Sequence, residues 1–403
     1  MLKILTICLM SVLISGIVMA KTPEFHPSKP GFLDRKGTEL LMDGKPFRAV
    51  SVTKFDLFSR LLADMSTREQ TANDIKEIAV HGFRVVRFGA VGFYPFDMAL
   101  WPNEEYWRRM DAVVASAKEN HVYLIPCMVW NWYLFTDMAN ETMQDLLTDK
   151  DSKSRQYLEL YIWQMVTRYK DEPTILFWEI GNELNLYTDL EFMRPYGSGD
   201  LCATSRGASY MRVRRDNFTT AQMIPFLRDM AKLVRSIDKN HLITSGHGSP
   251  RPAAQHLRLA KGKGDWTEDS PEEAERYIRD TNPDPIDIIS IHFYPGIDNL
   301  RFGNKDKNSA KAVTELKRIC DRIGKPVIIG ESGGQAYEGS PDTVTPFTAD
   351  LIKRAVDAEF PIMLYWMWGG ENPLTFDLNK SPALNALLRD ADARLRKQSE
   401  GTK

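Results

Sequence analysis

The chain has 403 residues, 43% of them hydrophobic, enough to bury a full core. Its formal net charge of -2 gives no electrostatic ground for a nucleic-acid or anionic-membrane partner. Fourteen Tyr and nine Trp are unremarkable as bulk content, so any argument from aromatic rings rests on position.

Residues 1–20 read as a signal peptide. Lys3 is a minimal positive region, Ile4 to Met19 an apolar run, and Val18-Met19-Ala20 offers cleavage after Ala20. No second long apolar run follows, so residues 21–403 are expected as one catalytic domain, exported (secreted or periplasmic) and without a stable membrane anchor. Cys8 lies too deep in the apolar run for a lipoprotein site. Of the remaining cysteines, Cys127 falls on a predicted core strand, Cys320 on the apolar face of a helix, and Cys202 in an irregular segment. That odd count argues against a disulfide framework. No Cys/His spacing resembles a zinc site, and no metal or cofactor is expected.

Residues 31–45, with turn signals Asp34-Arg35-Lys36-Gly37 and Asp43-Gly44, read as a small hairpin closing a barrel floor. Apolar strands are predicted near 47–53, 83–88, 122–129, 174–181, 241–246, 286–293, 326–330 and 361–366, and eight parallel strands close a (β/α)8 TIM barrel. Between them, Ser66-Thr67-Arg68-Glu69 predicts a capping box opening a helix that carries Ile75 and Ile78 inward. Helical spacing recurs at Trp107, Met110, Val114 and Ala117, and again at Leu158, Tyr161, Ile162 and Met165. It continues at Leu227, Met230 and Val234, at Val313, Leu316 and Cys320, at Leu351, Ile352 and Ala355, and in a last helix near 382–396. Three connections exceed the usual length, roughly 130–152, 184–219 and 247–285. Each follows a strand, so each is expected to wall the catalytic face.

Two apolar runs end abruptly in a carboxylate: Trp178-Glu179-Ile180-Gly181-Asn182-Glu183 and Val327-Ile328-Ile329-Gly330-Glu331-Ser332. Strand ends at the C-terminal face are where such a barrel keeps its chemistry. Cleaving a glycosidic bond takes a proton for the leaving oxygen and a carboxylate to meet the oxocarbenium-like carbon. Glu331 is read as the group that attacks, and Glu183 as the group that protonates and then activates water. Asn182 is the expected partner of the 2-hydroxyl. His292 and Tyr294, in alternation at the end of strand six, share one side. Tyr294 is placed to bond Glu331, and His292 to orient Glu183 or touch sugar. Arg87, ending the second strand, is costly unless paired, and Glu331 is its natural partner; such a pair lowers the carboxyl pKa. Trp366 is chosen as the floor under the cleaved sugar. Trp368 serves substrate or packs beneath the rim, and Trp130 and Trp132 extend the platform or pack as loop residues.

Together these residues resemble glycoside hydrolase family 5. Arg87, Asn182-Glu183, His292, Tyr294, Glu331 and Trp366 match the family's pattern in order on successive strands, over about residues 31–395. The resemblance implies a retaining enzyme acting through a covalent glycosyl-enzyme. Pro126-Cys127-Met128-Val129-Trp130-Asn131 lacks the histidine many cellulases of the family carry there and is similar to its β-mannanase branch. Leu184-Asn185 departs from that branch's Pro-Arg. The expectation is therefore an endo-β-1,4-mannanase on a polysaccharide or oligosaccharide substrate. An endo-β-1,4-glucanase, another β-glycosidase of the family, a transglycosylase and a non-catalytic carbohydrate-binding barrel stand as alternatives.

Overall fold

The computed structural model describes residues 29–190, 204–209, 211–260, 264–296, 298–333, 343–370 and 377–401. Residues 1–20, expected as a signal peptide, and Cys202 lie outside them. All eight predicted barrel strands are present. They are β4 (Ala49–Thr53), β5 (Val85–Gly89), β6 (Tyr123–Cys127), β7 (Phe177–Glu179), β8 (Leu242–Thr244), β9 (Ile289–Phe293), β10 (Val327–Ser332) and β11 (Ile362–Trp366). They pair in parallel in the order β8-β7-β6-β5-β4-β11-β10-β9. The ring closes where Thr244 bridges Ile288 and Ile243 O accepts from both Asp287 N (2.8 Å) and Ile288 N (3.1 Å).

Ahead of the barrel, β1 (Leu33–Lys36), β2 (Glu39–Met42) and β3 (Lys45–Pro46) form an antiparallel sheet, one strand more than the expected hairpin. It does close the floor. Leu33 and Leu40 join one apolar cluster with Ala49, Val85, Ile125, Phe177, Leu242, Ile288, Ile328 and Ile362, the inward residues of the barrel strands. The larger cluster fills the space between sheet and helices. Burial of Ile75 and Ile78 on one side of Arg68–Val80, and of Val313, Leu316, Ile319 and Cys320 on Lys311–Ile323, follows the 3.6-residue spacing.

Two readings are corrected. The capping box at Ser66 does not form, because Asp64 caps the preceding turn and accepts from both the backbone N and the hydroxyl of Ser66 (2.8 and 2.7 Å). The span 247–285 is not all cleft wall, for Pro271–Thr281 is the barrel helix between β8 and β9 and buries Ala274, Tyr277, Ile278 and Thr281. Its exposed face carries so many charges that its apolar stripe is easily overlooked.

His247, just past β8, is buried, with Nε2 3.2 Å from Thr281 O. Burial pulls its pKa down to about 3. The unfolded chain binds a proton near pH 6.5 that the folded chain refuses until about 3, so this stabilisation is complete above that window and is lost as pH falls through it. The expected slope is about 1.4 kcal/mol per pH unit. Denaturant titrations at pH 7 and pH 5 should show a steeper acid loss for the unaltered chain than for His247→Gln, and parallel losses would refute the assignment.

Candidate active site

The site is assembled at the C-terminal ends of β5, β7, β9, β10 and β11. Past β7 the chain bonds alternately to its two neighbours: Asn182 N donates to Val129 O (2.8 Å) and Glu183 N to Gly246 O (2.9 Å). This turn sets Glu183 at φ 53°, a left-handed conformation uncommon outside glycine. On β10 the register with β9 shifts between Ile329 and Glu331, so that Glu331 falls opposite His292. The shift needs Gly330, where a Cβ would come 2.5 Å from Ser290 Oγ and 3.2 Å from His292 Nε2.

The result is a convergent polar cluster. His292 Nδ1 lies 2.8 Å from Glu183 Oε1 and 3.8 Å from Glu331 Oε2, and one oxygen of each carboxylate lies within 4.8 Å of the other. Tyr294 OH donates to Glu331 Oε1 at 2.6 Å, and Arg87 Nη1 to Glu331 Oε2 at 2.8 Å. Arg87 Nη2 also donates to Asn182 Oδ1 (2.7 Å), so one guanidinium aligns Asn182 and Glu331. Glu331 is nearly enclosed, at 10% side-chain exposure, whereas Glu183 shows 25%. A substrate therefore meets Glu183 from the solvent side.

Electrostatics here are a contest between burial and donors. Burial pushes the Glu331 carboxyl up, while His292, Arg87 and the Tyr294 hydroxyl pull it down and the Glu183 charge adds to the rise. The net direction is upward, which corrects the expectation that Arg87 alone would leave it lowered. For Glu183 burial acts the same way, but the His292 hydrogen bond and charge, with Arg87 and Arg251, leave it lowered. Tyr294 is pushed well above the tyrosine range by burial and by Glu331, so it remains a hydrogen-bond donor at any working pH.

The aromatic residues divide into two groups. Trp366 and Trp130 are half-buried and stacked on one another at 5.6 Å and 29°, with Phe55 4.8 Å from Trp130. Trp130 also covers the Arg87 guanidinium at 4.5 Å. Trp368, by contrast, is buried against His81 (4.9 Å) and Phe83 (6.1 Å) and presents no face to the cleft, which settles the alternative in favour of packing beneath the rim. Trp132 is buried too. Its indole N–H donates to Asn182 O at 2.6 Å, and its ring occupies the place a Cβ on Gly181 would need, so it braces Asn182 instead of extending a platform.

Glu179 is the site residue that went unassigned. It is fully buried and accepts from Arg87 Nε at 3.0 Å on both oxygens and from Nη2 at 2.7 Å. The signal was present, since a carboxylate inside an apolar strand requires a cation and Arg87 lies on β5, two places away. Among the described residues, two groups bring three potential cation ligands together. One is Glu183, His292 and Glu331; the other is His256, Asp269 and Glu273, where Asp269 already bonds the backbone and ring of His256 and Glu273 closes a helix cap.

A (β/α)8 barrel with two carboxylates facing each other beside a shared histidine at its C-terminal mouth is the arrangement of a glycoside hydrolase. Residues 40–372 match the family described as cellulase (glycosyl hydrolase family 5). The chain belongs to glycosyl hydrolase family 5. It is similar to mannan endo-1,4-beta-mannosidase 3 of Arabidopsis thaliana, at 25% identity over 402 aligned residues covering 89% of this chain and 88% of the relative. It is likewise similar to mannan endo-1,4-beta-mannosidase 2 of Oryza sativa subsp. japonica, at 26% identity over 81% of this chain and 72% of the relative. Among solved structures, the endo-1,4-beta-mannanase of Rhizomucor miehei shares the fold with a TM-score of 0.63 at 18% identity, covering 91% of this chain and 99% of that one.

Proposed function

We propose that the chain is an exported, retaining endo-β-1,4-mannanase. The observation that carries the retaining mechanism is the convergence of the two carboxylates on one histidine, with an oxygen of each within 4.8 Å of the other, an approach that suits the ~5–5.5 Å separation of retaining enzymes. Glu331, oriented by Arg87 and Tyr294, attacks the anomeric carbon as the glycosidic C–O bond breaks and the leaving oxygen takes the proton of Glu183. Water then attacks the same carbon, giving its proton to Glu183 and freeing Glu331. The lowered Glu183 pKa of the free site suits the second half of this cycle. For the first half, a sugar sealing its exposed side removes the solvent that favours the charged form.

Mannan as substrate is supported by the relatives, which are mannan endo-1,4-beta-mannosidases, and by Trp130-Asn131 just past the third barrel strand. The departure at Leu184-Asn185 has a structural use here. Leu184 is buried, and Asn185 bonds Gly248 through both its amide groups (2.9 and 3.1 Å), stapling the connection after β7 to the one after β8. The family description, cellulase, keeps β-1,4-glucan as the second reading.

Reducing-sugar release from glucomannan, galactomannan and a soluble β-glucan tests the substrate, with Glu331→Ala as the blank. Activity on galactomannan is expected; activity on β-glucan alone would replace mannan with glucan. Proton NMR of the first product should show the β-anomer before mutarotation, and an initial α-anomer would overturn the retaining mechanism.

A further inference from the structure

We propose that Glu179 is a positioning residue of this active site: from behind Arg87 it takes up the guanidinium's charge and so sets how strongly Arg87 holds Glu331. The geometry leaves little else for it to do. Arg87 and Glu179 are both fully enclosed, Nε and Nη2 point at Glu179, and Nη1 points at Glu331. One cation therefore stands between two carboxylates, of which only the front one reaches the cleft. Glu179 lies on β7 opposite Cys127 of β6 and Thr244 of β8, so its place is fixed by the pairing with both neighbouring strands.

The chemistry gives this arrangement a purpose. When Glu331 bonds the sugar its charge disappears, and an Arg87 paired with Glu331 alone would be left as an unpaired buried cation, a costly state. Nor does a bare guanidinium favour the positive charge that develops on the anomeric carbon beside it. With Glu179 in place, Arg87 stays paired throughout the cycle. Ahead of attack the same sharing keeps Glu331 from being held as too stable an anion, one that gains little by forming the new bond.

The titratable and charged groups around the pair are Arg87 from β5, Cys127 from β6, Glu179 and Glu183 from β7 and its extension, and His292 and Tyr294 from β9. Arg251 and Asp298, on the connections after β8 and β9, act on Glu183. Converting Glu179 to an amide removes one negative charge from this set and changes no other member. The amide oxygen still accepts from Arg87, and its NH2 group can turn to the Cys127 sulfur.

The test is the pH profile of kcat/KM for Glu179→Gln on the preferred polysaccharide. Less negative charge lowers both carboxyl pKa values, so both limbs of the bell should move to lower pH, by on the order of one unit. The maximum should fall roughly 100-fold, mostly in kcat, because the loss is felt in the transition state. A folded variant with its limbs unmoved or shifted upward would overturn the proposal, since a merely structural carboxylate changes yield or melting temperature but not the profile. A second comparison, on activated aryl glycosides, sets Arg87→Gln beside the double variant Arg87→Gln, Glu179→Gln, which removes both buried charges together. The acid limb of the double variant should lie below that of Arg87→Gln; equal limbs would also overturn the proposal. The inference rests on Glu331 as nucleophile. Failure of that reading appears as inversion in the unaltered chain, whereas failure of this one appears only in the variants.

Discussion

Replacing Glu331 with alanine should abolish turnover on every glycoside, while replacing Glu183 should not. Loss of a covalent nucleophile acts on the scale of roughly 10⁶-fold in kcat, and Glu331 is the carboxylate held by both Arg87 and Tyr294. Loss of a general acid costs ~10²–10⁴-fold, and only where the leaving group needs a proton. Glu183→Ala should therefore cleave polysaccharide very slowly yet still be glycosylated by a dinitrophenyl glycoside at close to the unaltered rate. Deglycosylation then limits, because Glu183 also activates the water. Azide, which needs no general base, should restore turnover and give the β-glycosyl azide. In Glu331→Ala azide can occupy the space of the missing carboxylate and give the α-product instead. The geometry supplies the reason for this difference: Glu331 is buried under Arg87 and Tyr294, and Glu183 stands at the more open edge, where a leaving group must depart. Equal losses across a series of leaving groups, or β-azide from both variants, would reverse or remove the assigned roles.

Much of this site was legible in the sequence because a barrel strand announces itself twice, by its continuous apolar run and by the polar residue that ends it. Glu183, Glu331, His292 and Tyr294 each stand at or just past such an end, whereas Arg87 lies in the middle of β5 and does not end it. The structure brings all five into one hydrogen-bonded cluster. What the sequence concealed has specific causes. Trp366 and Trp368 are two residues apart, so strand alternation would give them one face, but the chain leaves the strand at Trp366. Trp368 N instead bonds Thr53 O, and its ring turns out to His81. Trp132 read as a platform because a loop tryptophan on the catalytic face is usually near substrate; the bare backbone of Gly181 draws it inward. Glu179 looked like one more residue of an apolar run. Its role depends on which cation it meets, and Arg87 was assigned to Glu331 alone although its one guanidinium serves both carboxylates. The sign of the Glu331 shift likewise follows from depth of burial, which no motif reports.

Gly246→Ala should damage stability and catalysis together, although this residue carries no functional group. It follows β8 at φ +72°, where an L side chain is strained by ~1–2 kcal/mol before any contact is counted. A Cβ there would sit 2.1 Å from Gly181 O and 2.7 Å from Glu179 Cγ. The first of these is backbone and cannot rotate away, so the β7 and β8 extensions must part. That separation strikes the Gly246 carbonyl, which accepts from the Glu183 N–H at 2.9 Å and holds Glu183 in its left-handed turn. On the other side it presses on Glu179, and through Arg87 on Glu331. A displacement of about 1 Å at a reacting group costs on the order of 10²-fold, so kcat should fall at least that far, with the unfolding free energy lowered by roughly 3 kcal/mol or more. Gly82→Ala is the matched control: φ is +88°, yet nothing lies within 4 Å of its Cβ position. It should lose only the conformational term and keep full activity. If the two variants melt and turn over alike, the close packing of Gly246 against Gly181 is not what positions Glu183.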